Sequence, residues 1–426
     1  MKEIEKTKAI RNCTLIDGTG RDPVQGITVL IEGSKILEVV KGETSIPQGS
    51  LTIDAKGRTV MPGMIDAHVH LASWTDPTEP NLMVSMMSTH PDLLTLYAAK
   101  HAQEMLEAGF TTVRDLAGYM NQINHEVLAV KRAIEIGMAR GPRVLVAGLV
   151  TQTAGHLDMK LPPTFHQENR SVADGPWEVR KMVREMWRWG HDLIKTSSSG
   201  GIAGLREEVN WNNYTVDELK AIAEEAHSAG RKVACHAYGA QAVKNAAIAG
   251  VDTIEHGTQL DEEAIQMIKS KGVFLVPTLM VTSEMALTDI KAGGASEHLL
   301  SKARAVAAVK RSNFQKAYRA GVKIVTGSDT YTMLRWHWGK QARELQLMAD
   351  LGMTNMECIV ASTKTASEAL DIQSETGTIE KGKEADILLV DGNPLQDIKI
   401  LQDTQKILMI MKGGNIEVDR GTSRIA

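Results

Sequence analysis

The chain has 426 residues, 43% of them hydrophobic, which is enough for one large α/β barrel or two to three average domains around a sizeable core. Lys and Arg number 48 against 52 Asp and Glu, a formal net charge of -4, and no basic tract marks a nucleic-acid partner or an acidic membrane surface. The opening Met1-Lys2-Glu3-Ile4-Glu5-Lys6 has no apolar leader and no run reaches the roughly 18 apolar residues of a membrane span, so a cytoplasmic protein is expected.

Residues from about 7 to 59 read as short β segments, at Ala9 to Leu15, Gly26 to Ile31, Lys35 to Val40 and Leu51 to Asp54. Asp17-Gly18, Glu32-Gly33-Ser34 and Pro47-Gln48-Gly49 supply turn chemistry between them. From residue 60 the pattern changes to apolar runs alternating with amphipathic helical stretches, the signature of parallel βα units. Strands are predicted at Val60 to His70, Thr111 to Asp115, Arg143 to Ala147, Leu193 to Thr196, Lys232 to His236, Thr253 to His256, Phe274 to Thr278 and Lys323 to Ser328. Helices fall at Leu93 to Ala108, Trp177 to Trp189, Val216 to Ala229, Glu262 to Lys271 and Leu299 to Ala320. Eight alternations fit a (β/α)8 TIM barrel better than an open doubly wound sheet, which would more often carry a Gly-rich phosphate fingerprint after its first strand. The tail returns to strands at Ala385 to Gly392, Ile407 to Lys412 and Ile416 to Val418. The two β ends are each too short to bury a core and pair most simply into one β-sandwich, residues 1–59 with 376–426, leaving 60–375 as an inserted barrel.

The chemistry sits at the strand ends. His68 and His70 are separated by Val69, so on a strand they point the same way and can grip one metal ion. Alone, such a pair is equally a surface feature. But Lys195 ends the fourth strand, His236 the fifth, His256 the sixth, and Asp329 follows the eighth. In this fold those ends converge on one mouth. Lys195 needs a separate argument, because an ammonium cannot bind a cation. Burial in Asp192-Leu193-Ile194-Lys195-Thr196 lowers its pKa, and the neutral amine can add carbon dioxide to form a carbamate, an N6-carboxylated lysine with two oxygens for two metals. His68, His70 and Asp329 would then hold one ion and His236 and His256 the other, with a hydroxide between them acidic enough to be a nucleophile at neutral pH. Nitrogen and oxygen ligands without thiolate suit zinc, with manganese, cobalt and iron as alternatives. Cys13, Cys235 and Cys358 lack ligand spacing and read as small core residues or bystanders.

These residues carry a resemblance. Val60-Met61-Pro62-Gly63-Met64-Ile65-Asp66-Ala67-His68-Val69-His70 resembles the first-strand motif of the amidohydrolase superfamily, and the order His-x-His, Lys195, His236, His256, Asp329 is similar to its binuclear members. Gly382-Lys383-Glu384-Ala385-Asp386-Ile387 is similar to the segment that closes the family's split β domain, so the likeness spans nearly the whole chain. Gln152-Thr153-Ala154-Gly155-His156-Leu157-Asp158, Ser199-Gly200-Gly201, Cys235-His236-Ala237-Tyr238 and Ile254-Glu255-His256-Gly257 resemble the branch of Xaa-Pro dipeptidases and imidazolonepropionase-related carboxypeptidases. The resemblance implies hydrolysis of a C–N amide bond in a small N-acyl amino acid or dipeptide. Asp329 would be ligand and acid-base, and Tyr238 or His156 would stabilise the oxyanion. Ala154, Thr196-Ser197-Ser198 and Thr330-Tyr331 depart from the branch at positions expected to line the pocket. They bear on the substrate, and xenobiotic amides, aryl ureas, carbamates and ochratoxin-like mycotoxin amides are the alternative.

Specificity is sought in the loops after the fourth and eighth strands. Trp211, Trp336 and Trp338 lie there with Arg206 and Arg335, in a chain only 4% aromatic. They read as an aromatic substrate wall with a carboxylate-binding arginine, or as anchors that pin the loops to the barrel. His90, His101, His125, His227 and His298, and the remaining lysines, are expected on helix surfaces without a role. Barrels of this size often associate, so a homo-oligomer is expected.

Overall fold

The computed structural model describes residues 7–42, 44–73, 84–85, 88–117, 123–156, 158, 171–202, 204, 206–292, 295–331 and 338–425. The chain divides into two compact units, Met1–Asp66 with Gln103–Thr112 and Gly339–Ala426, and Ala67–Ala102 with Val113–Trp338.

The first unit is organised by a mixed sheet of both chain ends. Strands β1 (Lys8–Leu15), β2 (Val24–Glu32), β3 (Lys35–Lys41), β4 (Leu51–Asp54) and β5 (Thr59–Pro62) come from the N-terminal segment. β13 (Ile387–Val390), β14 (Ile407–Lys412), β15 (Asn415–Asp419) and β16 (Ser423–Ile425) come from the C-terminal segment. The order is β15-β14-β13-β5-β1-β2-β3, with β4 on β1 and β16 on β4. The two ends meet where β13 runs antiparallel to β5, Leu389 opposite Val60. Alternate residues of the strands, among them Ile10, Val29, Ile31, Ile53, Val60, Ile387, Leu389, Met409 and Met411, share one buried core.

One element differs from expectation. The predicted strand from Val60 to His70 is broken at Gly63, and its first half belongs to this sheet. A side chain at Gly63 would collide with Thr111, so close backbone approach is what glycine permits here.

The second unit holds most of the barrel. Strands β6 (Met64–Val69), β7 (Phe110–Asp115), β8 (Arg143–Leu149), β9 (Leu193–Ser197), β10 (Val233–Ala237), β11 (Thr253–His256) and β12 (Phe274–Val276) pair in chain order, and β8 to β12 are parallel. The expected eighth strand closes the ring as two parallel bridges, Leu275 to Ile324 and Val69 to Thr330. Val325 N–H donates to the Leu275 carbonyl and Asp329 N–H to that of His68. The helices are α1 (Pro91–Glu107), α2 (His125–Glu135), α3 (Gly175–Trp189), α4 (Val216–Ser228), α5 (Ala240–Ala249), α6 (Glu262–Ser270), α7 (Glu284–Ala292) and α8 (Glu297–Arg319). Their ends follow local chemistry. Thr215 and Glu218 form a capping box on α4, Asp261 caps α6 through Ala264 N–H, and Gly190 and Gly250 end α3 and α5 in left-handed geometry. No described helix is long and apolar enough to cross a membrane.

Candidate metal centre and active site

Because β6 to β12 stand side by side in chain order around the ring and β8 to β12 run parallel, the C-terminal parts of β6, β9, β10 and β11 are brought to one end of the barrel. His68, Lys195, His236 and His256 are all buried there, with His70 at its edge. Asp329 lies among them, its Oδ1 3.2 Å from His70 Nε2 and 3.5 Å from His68 Nε2, its Oδ2 3.7 Å from His256 Nδ1. The ligand atoms of His68, His256 and Asp329 lie within 4.8 Å of one another, a group able to hold a metal ion. The His68 ring is 5.2 Å from His256, which is 4.6 Å from His236.

Each histidine is anchored through one ring nitrogen. His68 Nδ1–H donates to Glu255 Oε2 at 2.7 Å, His70 Nδ1–H to the Ala117 carbonyl, and His236 Nε2–H to the Gly200 carbonyl at 3.1 Å. His256 Nδ1 shares a 2.8 Å hydrogen bond with Thr278 Oγ1. This is the arrangement that fixes tautomer and ring plane in metal-ligating histidines. His256, Thr278 and Asp329 have φ of +73°, +48° and +52°, left-handed geometry that non-glycine residues adopt rarely and that clusters at functional sites.

The protonation states suit a cation. Burial lowers the His68 pKa to about 4 against the pull of Asp329, and burial with neighbouring His236 and His68 holds His256 far below its ordinary value, so both rings are neutral at pH 7. For Asp329 burial alone would raise the pKa, but His68, His70 and Lys195 draw it down to about 2, leaving a carboxylate. Burial lowers the pKa of Lys195, opposed by Glu255 and Asp329.

Beneath the centre lies a buried ion pair. Arg114 donates to Glu255 Oε1 at 2.8 Å, to Thr253 Oγ1 at 3.1 Å and to the Ala67 carbonyl at 2.5 Å. Glu255 thus connects Arg114 to His68.

His156 and Tyr238 stand beside the histidines. The His156 ring stacks on His236 at 4.1 Å, and Tyr238 stacks on His256 at 4.9 Å. His156 Nδ1–H donates to both Glu207 oxygens at 2.9 Å, and the same carboxylate accepts from the Gly201 and Gly204 amides. A side chain at Gly201 would run into the His156 ring, which explains a glycine there. Burial pushes the Tyr238 hydroxyl well above its ordinary pKa, so it keeps its proton.

Other expected residues fare differently. Arg206 and Trp211 lie exposed on the loop after β9, Trp211 at 55%. Trp338 stacks face to face on His101 at 4.0 Å, the anchoring alternative. Arg335 and Trp336 lie outside the described residues. Ser197 and Ser198, expected to line the pocket, are buried and turn their hydroxyls to the carbonyls of Ser199 and His236, while Ala154 is exposed. His101 is a correction: expected on a helix surface, it is 1% exposed and donates Nδ1–H to the Leu71 carbonyl at 2.8 Å. Lys302 and Lys310, also assigned to the surface, are buried. Glu255, Arg114, Glu207 and Thr278 were not singled out from the sequence.

A parallel barrel with a rim of anchored histidines around a carboxylate defines the class of barrel hydrolases that act through bound metal. The chain belongs to the amidohydrolase family, whose family model matches residues 59–416. It is 33% identical over 424 residues to the ochratoxinase of Aspergillus niger, covering 94% of this chain and 85% of that enzyme. Among solved structures it is similar to a Xaa-Pro dipeptidase with methionine bound in the active site, at TM-score 0.88 and 30% identity, covering 97% of this chain and 100% of that one. A prolidase complexed with N-methylphosphonate-L-proline is similar at TM-score 0.88 and 30% identity, with 97% and 100% covered.

Proposed function

We propose that the chain is a cytoplasmic, binuclear metal-dependent hydrolase that cleaves the C–N amide bond of a small N-acyl amino acid or dipeptide. The observation that carries this reading is the anchoring of His68, His70, His236 and His256 each through one ring nitrogen around a buried carboxylate. His68, His70 and Asp329 would hold one divalent ion, and His236 and His256 the other, with Lys195, carboxylated on its amine, as a further ligand; the donor set fits zinc. Two such ions supply an acidified water and polarise the amide carbonyl.

The chain's own groups do the rest. Asp329, ionised at neutral pH, accepts the proton of the attacking water and returns it to the leaving amine nitrogen. Tyr238, protonated in its buried setting, donates a hydrogen bond to the carbonyl oxygen as it gains charge, and His156, its Nδ1–H held by Glu207, does so from Nε2 as the doubly protonated ring. Arg206 and Trp211 are proposed to meet the substrate's carboxylate and its apolar group, with Arg335 and Trp336 as further candidates from the sequence.

A second reading, a hydrolase of xenobiotic amides, aryl ureas or carbamates, is favoured by the similarity to an ochratoxinase. One screen separates the two. Zinc-loaded protein is offered dipeptides, N-acyl amino acids and their carboxamides, aryl amides, aryl ureas and ochratoxin. Turnover of carboxylates with poor turnover of their carboxamides supports the peptidase reading. Equal turnover of uncharged aryl amides or ureas replaces it with the second.

A further inference from the structure

The centre is braced by one helix. The inward face of α8 carries Leu299, Lys302, Ala303, Val306, Lys310, Phe314 and Ala317, all buried at helical spacing. Two lysines in such a stripe, 8% and 2% exposed, require satisfied ammonium groups. Both are satisfied by the rim of the site. Lys310 Nζ donates to the Thr278 carbonyl at 2.8 Å and to its Oγ1 at 3.1 Å, and that Oγ1 is the partner of His256 Nδ1. Thr278 is β-branched and left-handed, a strained combination that persists only where its surroundings hold it. Just over two turns earlier, Lys302 Nζ donates to the carbonyls of Gly204 at 2.9 Å and Glu207 at 2.5 Å. The Glu207 side chain in turn holds His156. Lys302 therefore ties down the backbone of the residue whose carboxylate aims that ring.

We propose that Lys302 and Lys310 are positioning residues on a single rail: Lys310 sets the plane of His256 through Thr278, and Lys302 sets the place of His156 by holding the carbonyls of Gly204 and Glu207. Neither touches substrate. The helix keeps a metal-facing ring and a carbonyl-facing ring in register. The proposal rests on the metal-dependent reading above and adds residues remote from the reacting atoms.

The test uses chelator-treated protein titrated with cobalt(II), followed by its visible absorption, and the zinc-loaded protein assayed on its best amide substrate. Lys310→Met is expected to weaken cobalt binding by roughly 10–100-fold, as loss of a ligand's supporting partner does. Lys302→Met is expected to leave cobalt affinity within about twofold while lowering kcat by up to ~100-fold at nearly unchanged KM, because a misplaced ring costs transition-state contact. Val306→Ala, on the same face, controls for general loosening of α8. Should a methionine variant fail to fold, Lys310→Gln and Lys302→Gln, which keep a shorter donor, are read the same way with smaller losses. Cobalt affinity unchanged in the Lys310 variant, kcat unchanged in the Lys302 variant, or matching losses in Val306→Ala overturns the proposal. A parent protein that takes up no cobalt refutes the metal reading itself.

Discussion

Replacing Arg114 by methionine tests the buried pair under the centre. The guanidinium is 1% exposed and bonds Ala67, Thr253 and Glu255, all within the barrel. For Glu255, burial alone would raise the pKa, but Arg114, His68 and Lys195 outweigh it and hold the carboxyl well below the usual range. Methionine roughly fills the volume, so the cavity cost is small and the main effect is a buried carboxylate stripped of its cation. Removing one partner of a buried pair costs about 3–5 kcal/mol, and that loss is expected in urea unfolding at pH 7 followed by tryptophan fluorescence. The sign with pH follows from the depressed pKa. The stabilisation from Glu255 is present above its unfolded value and fades as pH falls below it, so parent and variant converge in acid. Adding Glu255→Gln removes the stranded charge and should recover much of the stability, while His68 loses its carboxylate partner and metal affinity drops by roughly 10–100-fold. A single variant costing less than about 1 kcal/mol, or a double variant less stable than the single, refutes this account of the pair.

Lys195→Ala should lose one divalent ion and most activity, with partial rescue by acetate or formate standing in for the carbamate; full activity would remove the lysine from the mechanism. Asp329→Asn should lower turnover by roughly 10²–10⁴-fold with the fold intact by circular dichroism, and a loss under about tenfold would refute its proton-transfer role. Burial lowers the His101 pKa to about 4, so the unfolded chain takes up a proton below pH 6.5 that the folded chain refuses, and stability is lost as pH falls from 6.5 to 4. At pH 5 the loss is about 2 kcal/mol; His101→Phe should lack it, and identical pH profiles for parent and variant would contradict the assignment.

The barrel and the inner ring of the site were legible because both depend on local pattern. Period-two alternation places His68 and His70 together, and parallel topology gathers strand ends whatever their distance in sequence. The outer ring was not legible, because a buried charge is justified by a partner on another element. Glu255 sits between Ile254 and His256 and meets Arg114 only across the barrel. Lys302 and Lys310 did leave a trace, since both fall on the apolar stripe of α8 where a surface lysine has no place. His101 likewise shares the inner side of α1 with buried Ala98, Ala102 and Met105, a spacing that places it inside. The break at Gly63 was hidden because the apolar run continues through it, and only the approach of Thr111 separates β5 from β6.

The most direct measurement is the metal content of protein purified without chelator. Elemental analysis should find close to two divalent ions per chain, lost on chelation together with amide hydrolysis and regained together on adding zinc. Protein that hydrolyses amides while carrying no metal, or keeps its activity after complete removal, would contradict the proposed centre.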